Sequence, residues 1–195
     1  MQGLTGFSVS EPGDENSILI DASLSVPDSF VINDDLTSVL IEVDGSSSIV
    51  IDGKKVGLKD SSVDEVLING FDGSLIVRRG GFLDLDGVCR SVSLDKIPIS
   101  ADSGSSMDVF LEKNFKYDFL RVVDVNIPML SYKATGKLVI GDEKVSISLK
   151  DEDFEIKNFF GEMVLVDDSI NLKGFADRSK VLGSLDITSS KKDLN

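Results

Sequence analysis

Apolar residues in the first half of the chain come in pairs that skip one residue, and the pairs themselves recur. Leu24/Val26, Phe30/Ile32 and Val39/Ile41 are followed by Ile49/Ile51, Val56/Leu58 and Val66/Ile68, then by Leu75/Val77, Leu83/Leu85 and Val92/Leu94. A spacing of two marks a β-strand with one buried face, because successive side chains point to opposite sides. The sets repeat about every 26 residues, a period that marks stacked units which bury a core only together. Helix signals are weak, the best lying near residues 106–113, with Ser106 as N-cap, and near residues 153–161. The pattern predicts an all-β chain.

The two halves differ in how their strands should pair. In the second half, a turn over residues 141–144 places Ile140 opposite Val145 and Leu138 opposite Ile147. A turn over 166–169 does the same for Leu165 with Ile170 and Met163 with Leu172. Apolar meets apolar across both, which predicts an antiparallel β-meander or sandwich. Phe115, Tyr117, Phe119, Val123, Val125 and Ile127 read as one alternating face broken by Arg121, with further strands over 132–140 and 181–188.

The first half fails the same test. A hairpin at Asp52-Gly53 would pair Ile51 with Lys54, one at Asp44-Gly45 would pair Ile41 with Ser48, and one at Asp72-Gly73 would pair Phe71 with Ser74. Each wastes an apolar position, so these steps are expected to be corners. Corners at a constant period predict a short three-coil β-solenoid, with Leu24, Ile49 and Leu75 in one ladder and Val39, Val66 and Val92 in another. An antiparallel β-sandwich is the alternative. The period resembles that of bactofilin-type polymerising solenoids and secreted β-helical proteins, with no diagnostic motif that makes it a family assignment. The expected organisation is a loop and first strand over 1–22, the repeat unit over 23–100, a polar linker over 101–106, the antiparallel unit over 107–188 and a flexible tail over 189–195.

Composition narrows the chemistry. The chain has 195 residues and a net charge of −14, with 34 Asp and Glu against 20 Lys and Arg. That field repels nucleic acid and anionic lipid headgroups, so neither is an expected partner. Many aspartates sit in Asp-Gly, Asn-Asp and Asp-Asp steps, where the carboxylate caps backbone amides and the residue tolerates unusual dihedrals. No Asp-x-Asp-x-Asp-Gly calcium loop is present. Histidine is absent, which removes the commonest general base and metal ligand together. Cys89 is the single cysteine, expected as a buried thiol between Val88 and Arg90. No metal and no cofactor are expected. No apolar run reaches the roughly 18 residues of a membrane span, and no signal peptide opens the sequence. Two compartments stay open: the cytoplasm by default, and the extracytoplasmic side if the chain is cut from a precursor with an N-terminal membrane anchor.

Two groups of residues invite functional readings. Asp84 and Asp86 flank Leu85 and so share one strand face, downstream of Arg78 and Arg79. Carboxylates projected from successive coils serve some β-helical glycosidases. The plainer reading makes Asp86-Gly87 a turn and Asp84 an outward polar residue. Aromatics concentrate in the second half, either as a Phe-rich core or as a partner face built on Phe159, Phe160, Phe154 and Tyr132, with Phe159-Phe160 the best exposed pair. No catalytic residue is assigned. These features favour a non-catalytic structural or interaction module, β throughout, that binds a protein partner or its own copies and is able to self-assemble. A carbohydrate- or lipid-binding extracytoplasmic domain is the first alternative. A carboxylate-dependent carbohydrate enzyme using Asp84 or Asp86 is the second.

Overall fold

Strands take up most of the described residues in the computed structural model, which describes residues 17–44, 47–100 and 105–177. They are β1 (Ser17–Ser25), β2 (Ser29–Val43), β3 (Ser48–Ile51), β4 (Lys54–Gly57), β5 (Glu65–Arg78) and β6 (Phe82–Cys89). The others are β7 (Ser91–Leu94), β8 (Ile97–Ser100), β9 (Met107–Leu111), β10 (Tyr117–Ile140), β11 (Val145–Val166) and β12 (Ser169–Asp177). No helix occurs among the described residues, and the two helix candidates fall in β9 and β11 instead. Residues 11–14, 181–188 and 189–195, expected as loop, last strand and tail, lie outside the described residues.

The skip-one apolar pairs are what make these strands. All of the paired residues are buried except Val56 and Leu94, which are half-buried. Each buried Val, Leu, Ile or Phe contributes about 1.5–3 kcal/mol over its exposed state, so these rows hold the sheets together.

Two compact units result, with the chain crossing between them at Pro27/Asp28, Asp124/Val125, Glu162/Met163 and Asp168/Ser169, and most of the expected linker over 101–106 lies outside the described residues. Among the described residues, one comprises those up to Pro27, Val125–Glu162 and those from Ser169; the other comprises those within Asp28–Asp124 and Met163–Asp168. In the first unit β1 pairs with β12 along one edge and with β10 along the other. β12 also bonds β11, and β11 bonds β10, so the four strands close into a small ring. Closure removes free edges. Gly161 and Gly174 face each other there so closely that a Cβ on Gly161 would sit 2.7 Å from the Gly174 Cα. Their opposition is the register that a turn at 166–169 sets.

The second unit is built around β5. One edge of β5 pairs with β2. The other pairs with β6 over Asp72–Arg78 and with β7 over Val66–Asn69. From β6 the sheet continues to β9, β3 and β4, β7 carries β8, and β2 pairs with the start of β10. Every one of these pairings is antiparallel. The three-coil solenoid is therefore corrected to an antiparallel sheet. Leu24 pairs with Ile170 and Gly136, Ile49 with Leu111 and Val56, and Leu75 with Ile32 and Leu85, so the first expected ladder does not form.

The Asp-Gly steps explain the error. Asp52-Gly53 is a two-residue hairpin with positive φ at both residues (48° and 80°), and it does pair Ile51 with Lys54. The mismatch costs little because β4 is an edge strand whose Lys54 and Lys55 face solvent. Asp72-Gly73 and Asp86-Gly87 are neither corners nor turns but lie inside β5 and β6. Gly73 opposes Gly87, and the Phe71 ring covers both; a Cβ on Gly73 would come within 2.4 Å of the Asp86 carbonyl oxygen. Gly80-Gly81 forms the β5–β6 turn, with φ of 95° and 86°.

Aspartate also sets the phase of the long strands. The expected single face from Phe115 to Ile127 is interrupted. A bulge between Tyr117 and Phe119 moves the buried positions to Leu120 and Val122, and Asp124 (φ 62°) shifts them again to Val125 and Ile127. Arg121 is consequently exposed between two buried neighbours rather than breaking a buried row.

Candidate functional site

β6 and β9 run in register from Cys89/Met107 to Asp86/Phe110 and then part. Their next contacts are the Leu83 N–H donating to the Phe115 carbonyl at 3.0 Å and a bridge between Phe82 and Lys116. The longer path on the β9 side bulges, with Asn114 in the left-handed region at φ 61°. Beside this opening lies a shallow depression of about 200 Å³ lined by Ser74, Ile76, Asp84, Leu85, Asp86, Phe110 and Leu111.

Register explains which side chains meet there. Ser74, Asp86 and Phe110 are cross-strand neighbours on β5, β6 and β9, and Ile76 opposes Asp84 in the next row. Neighbours across a sheet share a face, so all five stand outward. Their sequence neighbours Leu75, Leu83 and Val109 point inward and are fully buried. Phe110 is 40% exposed, and its partner on β3, Val50, is buried.

Asp84 and Asp86 are thus brought onto one face, as expected from their spacing, but they differ in surroundings. The Arg78 Nη2 donates to Asp84 Oδ1 at 3.3 Å. The Arg78 guanidinium also lies 5.9 Å from the Phe82 ring centroid, and its buried Nε has no hydrogen-bond partner. The exposed Asp86 carboxylate has no ion-pair partner among the described residues. Neither carboxylate is enclosed by apolar walls.

The expected partner face on Phe159, Phe160, Phe154 and Tyr132 takes a different form. Phe154 and Phe159 are fully buried in the ring unit. Tyr132 packs edge-on against Phe154 with centroids 6.0 Å apart, and its hydroxyl donates to the Ser25 carbonyl at 2.7 Å. Burial pushes that hydroxyl's pKa well above the ordinary phenol range. Phe160 and Tyr132 are half-buried. The cause is a phase shift: Asn158 sits at φ 53°, so Phe154 and Ile156 before it and Phe159 after it all point inward. The expected exposed pair is corrected: Phe159 is core and Phe160 is half-buried.

Cys89 is the buried thiol its context implied, 1% exposed. Burial pushes its pKa up from 9.0 to about 11, and the Asp52 charge adds to the rise, so the nucleophilic thiolate is suppressed. Among the described residues no group of three or more Cys, Asp or Glu side chains could hold a metal ion. No helix among them is long and apolar enough to cross a membrane.

Ile76 carries no signal in the sequence, and Phe110 stands there only as one of the second-half aromatics, although its strand phase sets it apart. Met107, Val109 and Leu111 occupy the inward phase of β9, which leaves Phe110 at a position where a polar residue would ordinarily stand. Comparison with family models, curated proteins and solved structures finds no match to this chain in any of the three.

Proposed function

We propose that this protein is a non-catalytic interaction module that docks a protein partner on the outer face of β5, β6 and β9. The observation that carries the reading is Phe110, 40% exposed on a sheet whose opposite face is core, at the rim of a depression it shares with Ile76. Aromatic anchors on rigid elements dominate protein interfaces because they bury large area for few rotatable bonds. A depression of about 200 Å³ is smaller than the roughly 300–1,000 Å³ of small-molecule sites and suits a single side chain. Asp84 and Asp86 form its charged rim in this reading, not an acid–base pair.

Docking through a face also agrees with the edges. β4 carries Lys54 and Lys55, and β8 carries Pro98; both features discourage strand addition. The proposal therefore gives up stacking of coils and keeps surface recognition.

Peptides selected from an unbiased display library against the full chain test it. They should bind Phe110→Ser at least about tenfold more weakly than the wild type, with an unchanged far-UV circular dichroism spectrum. Equal binding to both proteins would remove Phe110 as the anchor and the proposal with it.

A further inference from the structure

Resting on that reading, we infer that the depression receives a cationic side chain, arginine or lysine, from the partner protein. Shape and charge point the same way. Ile76 and Phe110 offer an apolar wall against which the methylene stem of such a side chain packs, and the exposed Phe110 ring offers a face to the charge. Among the described residues the two carboxylates at the rim have one ion-pair partner, Arg78. Arg78 is committed to Asp84, whereas Asp86 stands open in the same row as Phe110. The nearest lysine along that row is Lys55 on β4, which pairs with Glu112 at 2.8 Å. A partner's cation thus supplies the charge that this surface lacks. The net charge of −14 favours its approach over that of a neutral or acidic segment.

The probes are a pair of blocked pentapeptides, Ser-Val-Arg-Val-Ser and the same peptide with neutral, near-isosteric citrulline in place of arginine. Both are titrated into the isotopically labelled full chain at low salt and followed by amide chemical shifts. The arginine peptide should shift Ser74, Ile76, Asp86 and Phe110 with a Kd of about 1 mM, and the citrulline peptide should bind about fivefold more weakly. Asp86→Asn should erase that difference without altering the shift pattern of the unliganded sheet. Equal binding of both peptides at these residues would overturn the cationic specificity while leaving the docking face intact. Shifts confined to other residues, or none from either peptide, would overturn the inference. The display selection, which imposes no charge on its peptides, separately decides whether the face docks anything.

Discussion

Asp95 offers a way to separate what aspartate does in a turn of this protein. It occupies the first position of the two-residue connection between β7 and β8 at φ 49°, with Lys96 at φ 70°. Its Oδ1 accepts the backbone N–H groups of Asp64 at 3.0 Å and Glu65 at 2.9 Å, tying the turn to the start of β5. A left-handed conformation costs an ordinary L-residue about 1 kcal/mol, which aspartate, asparagine and glycine largely avoid. Each of the two solvent-accessible hydrogen bonds contributes about 0.5 kcal/mol, at the low end because water competes. Asp95→Ala loses both terms and should destabilise by about 2 kcal/mol. Asp95→Gly keeps the backbone freedom and should cost about 1 kcal/mol. Asp95→Asn keeps the freedom and a neutral acceptor, for about 0.5 kcal/mol. Urea unfolding followed by far-UV circular dichroism measures the series, since the chain has no tryptophan to report by fluorescence. If glycine proves as damaging as alanine, the left-handed backbone is not what aspartate serves here. If asparagine does, conformational tolerance contributes nothing.

Other consequences follow from burial and edges. Tyr117 is pushed up from 10.0 to about 12, chiefly by burial with the Asp168 charge adding, and Cys89 from 9.0 to about 11. Both folded-state values exceed the unfolded ones, so the unfolded chain releases these protons first. Stability should be full below pH 9 and decline between pH 9 and 12; a flat profile over that range would contradict the burial of both groups. Cys89 should resist a thiol reagent at pH 8 until denaturant is added, and rapid labelling of the folded chain would show the thiol to be accessible. Pro98 opposes Ser93, one residue beyond the Leu94/Ile97 pair that closes the turn, so its missing N–H falls on the side away from β7. Pro98→Thr restores that donor beside Ile97, which is 69% exposed, and should cause concentration-dependent association in sedimentation. An unchanged sedimentation profile would show that the edge is guarded by something else. Phe159→Ala, at a fully buried site, should cost about 3–5 kcal/mol, and Phe160→Ala at least about 2 kcal/mol less. Equal losses would refute the phase shift at Asn158.

Much of this architecture was legible in the spacing of apolar residues, and its limits are equally instructive. The skip-one pairs identified most of the strands and of the core of the first half because alternation is a local property of an extended chain. Strand direction is not local. Val39 and Val92 were expected in one ladder, and both indeed flank Ile68, on opposite edges of β5. The same rows therefore come together with the chain running the opposite way, a difference that apolar spacing does not encode. At Asp52-Gly53 apolar and polar residues fail to match across the hairpin, which argues against a hairpin only between two buried strands and not at an edge such as β4. Phase shifts at Asp124 and Asn158 were hidden because their sequence context looks like ordinary alternation. At the site, the spacing of Asp84 and Asp86 did place them on one face. Phe110 joined them only through the pairing of β6 with β9, across a separation that no local pattern spans.

The pairing of β5, β6 and β9 underlies both the fold and the docking face, and through-space proton contacts in solution test it most directly. The expected result is a set of contacts linking Asp86 to Ser74 on one side and to Phe110 on the other. Contacts between Ile49 and Leu75 as neighbouring rungs, with none across the row from Ser74 through Asp86 to Phe110, would contradict the antiparallel sheet and dissolve the proposed surface.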